Sequence, residues 1–223
     1  MKILGIIPAR GGSKGIKLKN LVKLNNKPLL FYTINAAKNS SYNIRTVVST
    51  DNKKIENYSL KFGSQVIKRP TKLSGPKISI EPTIEHVLKT LEQKENYVPD
   101  IILLLQNTSP LRTSKHIDSA IKLLLKRNFD SVLSGFKSHY FLWTKKNSLA
   151  SALNYNPKKR PNRQVMKKQF IENGAIYVTK LLSFKKSKCR ISGKIGLYEM
   201  SMEQSIDIDS SNDLLIAELF LKK

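Results

Sequence analysis

Hydrophobic and polar residues follow two alternating patterns along the first half of the chain. Short runs that are almost wholly apolar or β-branched predict strands buried on both faces at Lys2–Pro8, Thr46–Ser49, Gln65–Ile67 and Ile101–Leu105. Between these runs, apolar residues recur at helical spacing, as they do at Ile117, Ala120, Ile121, Leu124 and Leu125. Strands that alternate with helices predict an α/β fold with a mostly parallel central sheet.

Local signals predict where three helices begin. Ser114 is the predicted N-cap of one helix. Glu81-Pro82 predicts the start of another, because proline is favoured in the first turn of a helix. Ser210 and Asp213 form a capping-box pattern that predicts a final helix over Ser210–Phe220. Asp213 is therefore expected to cap this helix.

After position 130 the alternation breaks down and strand signals become denser. Strands are predicted at Ser131–Phe136, Tyr140–Thr144, Ile171–Val178 and Gly196–Ser201. The stretch 154–168 is rich in lysine, holds two prolines and has no period, which is typical of a mobile loop or lid. We therefore expect one domain over residues 1–223, with an inserted subregion at about 136–170.

The composition favours a globular protein with a core of its own. The chain has 223 residues, the length of one large domain, and 40% of them are hydrophobic. No apolar run reaches the roughly 18–20 residues that cross a bilayer, so no membrane association is expected. The apolar run Ile3–Ile7 is too short for a signal-peptide core and stops at Pro8, so we expect a cytoplasmic protein. The single cysteine, Cys189, excludes an intrachain disulfide.

The chain is strongly basic. Forty Lys and Arg residues against sixteen Asp and Glu residues give a formal net charge of +24. Such a charge attracts nucleic acid, anionic membranes or small anionic substrates, and charge alone does not choose among them. The lysines are dispersed over the whole chain, which a bias of genome composition explains equally well. Because the aromatic residues form no basic-aromatic motif, we expect no nucleic-acid partner and keep a nucleic-acid-binding protein as the remote alternative.

A glycine-rich, cationic loop follows the first strand. Gly11, Gly12 and Gly15 let backbone N–H groups approach an anion closely, while Arg10 and Lys14 supply charged donors for phosphate oxygens. The loop stands at the carboxyl end of a buried strand, where open α/β sheets bind ligands. It fits neither the P-loop nor the dinucleotide-binding glycine pattern, so neither a kinase nor a dehydrogenase is indicated. We predict a polyphosphate site here.

Two aspartates near the carboxyl terminus are spaced for a shared ligand. In extended chain, Asp207 and Asp209 project from one face while Ile206 and Ile208 face the core. Mg²⁺ is typically bound by one or two carboxylates together with phosphate oxygens and waters. Asp207 and Asp209 are therefore the predicted metal ligands and Mg²⁺ the predicted cofactor. The alternative is an exposed strand edge that charge keeps soluble.

The loop sequence IPARGGSKGIKLKN, at positions 7–20, resembles the signature of the acylneuraminate cytidylyltransferases, also called CMP-N-acetylneuraminate synthetases. Further segments follow that family's order over nearly the whole chain: Val48–Asp51, Arg69-Pro70, Leu104–Arg112, Asn173–Tyr177 and Ser205–Asp209. The resemblance implies a Rossmann-like three-layer sandwich of the nucleotide-diphospho-sugar transferase type, with a small inserted dimerisation subregion. It also implies a homodimer, with residues 136–168 near the contact.

The resemblance further implies which residues form the site. The nucleotide-binding set would be Ala9, Arg10, Gly11, Ser13, Lys14, Lys19, Asn20 and Arg69. The sugar-binding set would be Gln106, Arg163 and Lys168, although Lys168 also fits solvated surface. Asp207 and Asp209 would hold Mg²⁺. The catalytic residues would be Arg10, Lys14 and Asp209, with Asp209 or a water near it as proton acceptor.

The implied reaction transfers CMP from CTP to the anomeric hydroxyl of a nine-carbon 2-keto sugar acid of the sialic acid type and releases pyrophosphate, as in cell-surface polysaccharide synthesis. Departures from the family pattern lie on the sugar side. Ile171-Glu172 stands where the family has Arg-Pro, the paired aromatic residues expected after Cys189 are missing, and Ser74–Pro76 replaces a usual acidic residue. Legionaminate, pseudaminate or a Kdo-like acid therefore competes as the acceptor.

Overall fold

The computed structural model describes residues 1–13 and 15–221, which form one seven-stranded sheet, two short ribbons and six α-helices. The strands are β1 (Ile3–Pro8), β2 (Lys23–Leu24), β3 (Lys27–Pro28), β4 (Ile44–Thr50), β5 (Gln65–Lys68), β6 (Ile101–Leu105), β7 (Ser131–Ser138), β8 (Trp143–Lys146), β9 (Leu149–Ala152), β10 (Gln169–Lys180) and β11 (Ile195–Met200). The helices are α1 (Leu29–Lys38), α2 (Lys53–Lys61), α3 (Glu81–Glu95), α4 (Ser114–Lys126), α5 (Leu181–Ser187) and α6 (Ser211–Leu221).

The seven-stranded sheet is mostly parallel. Its strand order is β11-β7-β10-β6-β1-β4-β5. β1 pairs in parallel with β4 and β6, β4 pairs in parallel with β5, and β7 pairs in parallel with β11. β10 runs antiparallel to both of its neighbours, β6 and β7. The predicted α/β class with a mostly parallel sheet is confirmed.

Helices cover both faces of this sheet because successive residues of its central strands point to opposite sides. On β1, Ile3 and Ile7 belong to a core that includes residues of α1, α2 and α4. Leu4 and Ile6 belong to a second core that includes residues of α3 and α5. Burying each such side chain contributes about 1.5–3 kcal/mol. The result is the predicted sandwich of three layers.

The N-terminal cap of α4 lies one residue earlier than predicted. Thr113, and not Ser114, is the cap residue, and it forms a capping box with His116. The His116 ring nitrogen Nδ1 accepts a hydrogen bond from the Thr113 backbone N–H at 3.2 Å. The sequence rule for a capping box looks for Glu or Gln at this third position, so a histidine in that role escapes it.

The strand predicted over Tyr140–Thr144 is wrong in its boundaries, since β8 begins only at Trp143. The side chain of Asn154 bonds to the backbone ahead of it: its amide donates to the Tyr140 carbonyl and its oxygen accepts from the Leu142 N–H, both at 2.8 Å. The Tyr140 carbonyl and the Leu142 N–H are therefore already hydrogen-bonded to a side chain and do not pair with another strand.

Residues 139–168 leave the sheet between β7 and β10. They contain the β8–β9 hairpin and a single 3₁₀ turn at Pro157–Lys159. That this segment is a dimerisation subregion or a lid stays a prediction. Among the described helices, none combines the length and the apolar character needed to cross a membrane.

Candidate active site

A cavity of about 420 Å³ opens at the carboxyl ends of β1 and β6. Parallel strands end at one edge of a sheet, so loops that are far apart in sequence meet there. The walls come from the loop after β1, the chain from β5 to α3, the loop after β6 and the segment before α6. The lining residues include Arg10, Ser13, Lys19, Asn20, Arg69, Gln106, Asp207 and Asp209. The loop cations and the aspartate pair therefore share one cavity.

Arg10 spans two walls of this cavity. Its Nη1 donates to the Gly75 carbonyl at 2.9 Å and to the Ser74 carbonyl at 3.4 Å. Its own carbonyl accepts from Asn20 Nδ2 at 2.9 Å, and Asn107 Nδ2 in turn donates to Asn20 Oδ1 at 3.1 Å. Asn20 is buried. Its amide thus fixes the backbone of the loop that carries Arg10.

The remaining loop residues differ in what they present to the cavity. Ser13 lines it. Gly11 directs its N–H at Asp51 Oδ1, 2.8 Å away. Ala9 is fully buried, and its N–H continues the hydrogen bonding to β4. Lys14, predicted to bind phosphate and to act in catalysis, lies outside the described residues.

Arg69 is a buried cation in the wall of the cavity. It is 4% exposed, and its guanidinium donates to the Ser49 carbonyl at 2.7 Å and to the Ser49 hydroxyl at 3.2 Å. Burial lowers the pKa of Arg69 to about 10, with the charge of Asp51 opposing the shift and that of Arg10 adding to it. Arg69 therefore stays protonated at neutral pH.

The aspartate segment alternates between core and cavity. Ile208 is fully buried, whereas Asp207 and Asp209 are exposed and line the cavity. Lys19 Nζ donates to Asp209 Oδ1 at 2.7 Å and to the Ile208 carbonyl at 2.8 Å. Gly15 also approaches this segment, since a Cβ on it would lie 2.6 Å from the Asp209 carbonyl oxygen. The cationic loop and the aspartates are thus in direct contact.

The electrostatics of Asp207 suit a divalent cation. Asp207 is open to solvent, but partial desolvation in the cavity wall raises its pKa. The charge of Asp209 adds to the rise, while a hydrogen bond from Thr108 and the charge of Lys19 oppose it. A cation between Asp207 and Asp209 would offset this repulsion. No group of three or more His, Cys, Asp or Glu residues could hold a metal in the part of the chain that the structure describes. An ion on this pair would therefore take further ligands from phosphate and water, as Mg²⁺ commonly does.

Asp213 has the capping role that its spacing predicts. Its Oδ2 accepts hydrogen bonds from the backbone N–H groups of Ser210 at 2.7 Å and Asp209 at 3.0 Å. The Ser210 hydroxyl accepts from the Asp213 N–H at 3.4 Å, which completes the box ahead of α6. This cap holds the backbone of Asp209 in place.

Of the three predicted sugar-binding residues, the structure places one at the cavity and two away from it. Gln106 lines the cavity, and its Oε1 packs against Gly174, whose φ is +69° and where a Cβ would lie 2.6 Å from that oxygen. Arg163 and Lys168 are exposed on the segment between β7 and β10 and do not line this cavity. Within one chain, the structure does not bring them to the site.

A second cavity, of about 380 Å³, adjoins the first and shares Asp207 with it. Its lining residues are Phe136, Ile171, Glu172, Asn173, Gly174, Tyr177, Ser205 and Asp207. Sequence reasoning assigned no role to Tyr177 or Thr108, and it placed Glu172 only at a departure from the family pattern on the sugar side. Thr108 follows β6 as Gln106 does, which was a usable signal, whereas the second cavity is formed by strand pairing across the sheet.

A model of the cytidylyltransferase family matches residues 4–216. The chain belongs to the cytidylyltransferase family. Among its relatives, it is 36% identical over 220 residues to N-acylneuraminate cytidylyltransferase A of Danio rerio, which covers 97% of this chain and 50% of the relative. It is 32% identical over 227 residues to N-acylneuraminate cytidylyltransferase of Streptococcus agalactiae serotype V, and this match covers 99% of this chain and 54% of the relative. The chain spans about half the length of these curated relatives.

Comparison with solved structures shows the fold of this chain. It matches a CMP:2-keto-3-deoxy-manno-octonic acid synthetase complexed with CTP at a TM-score of 0.71 and 16% identity, over 100% of this chain and 99% of that one. It matches a 4-diphosphocytidyl-2C-methyl-D-erythritol synthase of Anaerococcus prevotii at a TM-score of 0.68 and 14% identity, over 100% of this chain and 96% of that one. The predicted Rossmann-like fold and the resemblance to acylneuraminate cytidylyltransferases are confirmed.

Proposed function

We propose that the protein transfers CMP from CTP to the anomeric hydroxyl of a nine-carbon 2-keto sugar acid of the sialic acid type, with release of pyrophosphate. The observation that carries this proposal is the meeting of Arg10 and Lys19 with Asp207 and Asp209 on one cavity. The two N-acylneuraminate cytidylyltransferases, at 36% and 32% identity, support the choice of nucleotide and acceptor. We further propose that the reaction takes place in the cytoplasm.

In this reaction the anomeric oxygen bonds to the α-phosphorus of CTP. The bond from that phosphorus to the oxygen bridging to the β-phosphate breaks, and its electron pair leaves with pyrophosphate. Arg10 and Lys19, together with Lys14 of the same loop sequence, would offset the charge of the triphosphate. A water near Asp209 would accept the hydroxyl proton and pass it to solvent, because Lys19 occupies Asp209 Oδ1 and Oδ2, to which nothing bonds within the described residues, is the oxygen left for the metal.

Asp207 and Asp209 would hold the Mg²⁺ that this proposal includes. When bound there, the ion would neutralise charge on the α-phosphate and on the departing pyrophosphate. Thr108 keeps Asp207 in position from one side, through its side-chain hydrogen bond and through a carbonyl that accepts the Ile208 N–H at 2.8 Å. Lys19 keeps Asp209 in position from the other.

Pyrophosphate release from CTP and Mg²⁺, measured against a panel of acceptor acids, tests the proposal. The panel contains N-acetylneuraminate, legionaminate, pseudaminate and the eight-carbon Kdo. We expect turnover with a nine-carbon acid, loss of about 100-fold or more in D207N, and wild-type turnover in E92Q, whose side chain is exposed on α3. Absence of pyrophosphate with every nine-carbon acid would overturn the proposal, and turnover with Kdo alone would replace its acceptor.

We infer that two copies of the chain form a dimer, with residues 136–168 near the contact. Support comes from large apolar side chains that this segment leaves exposed on one chain: Leu142 (45%), Trp143 (49%), Leu149 (75%) and Leu153 (63%). Apolar patches of this kind favour a protein contact. In such a dimer Arg163 and Lys168 would reach the sugar pocket of the neighbouring copy. A light-scattering mass equal to one chain would contradict the dimer, and W143E/L149E is expected to yield that mass.

A further inference from the structure

A carboxylate with a free oxygen lines the second cavity. Glu172 is exposed there, on β10, and its Oε1 accepts a hydrogen bond from the hydroxyl of Tyr177. Within residues 1–13 and 15–221, no group donates to its Oε2 and no lysine or arginine forms an ion pair with it. On a chain with a net charge of +24, a pocket carboxylate that pairs with no described cation is available to bind a ligand.

The Glu172 carboxylate is contacted by Tyr177, whose ring lies in the wall of the cavity. The Tyr177 ring is buried and lies 4.9 Å from the guanidinium carbon of Arg190, which forms an ion pair with Glu81 at the start of α3. Burial raises the pKa of Tyr177, and the hydrogen bond to Glu172 adds to the rise, so the phenol stays protonated and donating. This hydrogen bond restrains one oxygen of the carboxylate before any ligand arrives.

The other polar side chains of this cavity already have partners. Asn173 Oδ1 accepts from the Ser134 hydroxyl at 2.6 Å and from the Ala175 N–H at 3.1 Å. Its Nδ2 donates to the Ser205 hydroxyl at 2.8 Å, and that hydroxyl donates to the Ser201 carbonyl at 2.7 Å. Asp207 belongs to the aspartate pair. Apart from the carboxylate of Asp207, Glu172 Oε2 is therefore the side-chain acceptor that this cavity offers to a ligand.

We propose that Glu172 determines acceptor specificity by accepting a hydrogen bond from one hydroxyl or N–H group of the sugar acid. This inference rests on the proposed function, with the second cavity as the place of the sugar. A hydrogen bond to a charged acceptor favours a sugar that presents a donor at this position. A sugar without that donor, or with a second anionic group there, leaves the carboxylate desolvated and unpaired and binds more weakly.

The test compares each accepted sugar acid with deoxy analogues that lack one hydroxyl or acylamino N–H at a time. In the wild type, one analogue is expected to lose about 10-fold or more in kcat/KM. In Glu172→Ala that difference is expected to disappear, while the KM for CTP stays within twofold. Glu172→Gln retains an acceptor oxygen without the charge, so its loss of kcat/KM with the analogue is expected to lie between that of the wild type and that of Glu172→Ala. E92Q, a charge loss on the outer face of α3, is the matched control.

Because Glu172→Ala also removes the acceptor of the buried Tyr177 hydroxyl, Y177F/E172A is measured beside it. Y177F alone tests the positioning role of Tyr177: it is expected to weaken the discrimination between the acid and its analogue without changing the KM for CTP. A wild type that turns over an acid, with the same ratios in E172A for every analogue, overturns this inference alone. A wild type that turns over no acid overturns the proposed function and the inference with it.

Discussion

Lys19 Nζ lies 2.7 Å from Asp209 Oδ1 and joins two residues that are 190 positions apart. The Lys19 side chain is mostly shielded, with 15% of its surface exposed, while that of Asp209 is 77% exposed. The ion pair therefore lies at the edge of the cavity, with Lys19 shielded by the protein and Asp209 open to solvent. Together with the Lys19 bond to the Ile208 carbonyl, it holds the phosphate loop against the aspartate segment.

Lys19→Met tests whether this cation acts on the nucleotide. The substitution keeps the apolar stem and removes the charge, so we expect kcat/KM for CTP to fall by about 100-fold. Lys23→Met, which removes an exposed cation from β2, is the control and should leave kcat/KM unchanged. Steady-state pyrophosphate release measures both. A K19M enzyme within twofold of the wild type would refute the role.

Asp207→Asn is expected to stabilise the metal-free protein at neutral pH while it lowers activity. The pKa of Asp207 is raised on folding, so its ionised form is disfavoured in the folded state. The folded chain therefore binds more protons than the unfolded chain between the ordinary value of 3.8 and the raised value, and the free energy of unfolding falls as pH rises through that window. Melting temperatures from pH 3 to 8 measure this, and a D207N protein that melts below the wild type at pH 7 would contradict it.

Asp213→Ala, which removes the cap, is expected to shift stability in the opposite direction. Hydrogen bonds from the Ser210 side chain and from backbone N–H groups lower the pKa of Asp213. Its contribution to stability is therefore present above the ordinary pKa of 3.8 and is lost as pH falls through the lowered value. Loss of the cap should cost about 1 kcal/mol at pH 7. Urea unfolding at pH 7 and pH 3 measures the difference, which should shrink at the lower pH.

Gly15→Ala should disrupt the contact between the loop and the aspartates. Its Cβ would lie 2.6 Å from the Asp209 carbonyl oxygen, so one of the two segments must move. We expect kcat/KM to fall by about 10- to 100-fold, because small displacements at a site have large effects on rate. At Gly12 a Cβ would meet nothing within 4 Å, so Gly12→Ala should leave the melting temperature unchanged. Equal activities of G15A and G12A would argue against the contact.

Sequence patterns predicted the central strands because those strands are buried on both faces and must be apolar. β1 and β6 lie within a residue of their predicted bounds. Helix α2 was not predicted, since its apolar face is short; its cap, Asn52, accepts the N–H groups of Lys54 and Ile55. The shifted start of β8 depends on Asn154, a side chain more than ten positions away. Boundaries set by such distant partners are not contained in local patterns.

The sequence by itself determined the central strands of this protein and the chemistry of its loop and aspartates, because strands buried on both faces must be apolar and charged residues at a strand end are visible in the sequence. Only the tertiary structure decided which side chains meet. Strand order placed Arg10 and Asp207 on one cavity and left Arg163 outside it. In the folded chain the Asn20 amide also donates to the Arg10 carbonyl, and the Tyr177 hydroxyl donates to Glu172. Hydrogen-bond partners depend on how strands are ordered in the sheet, which no local spacing records.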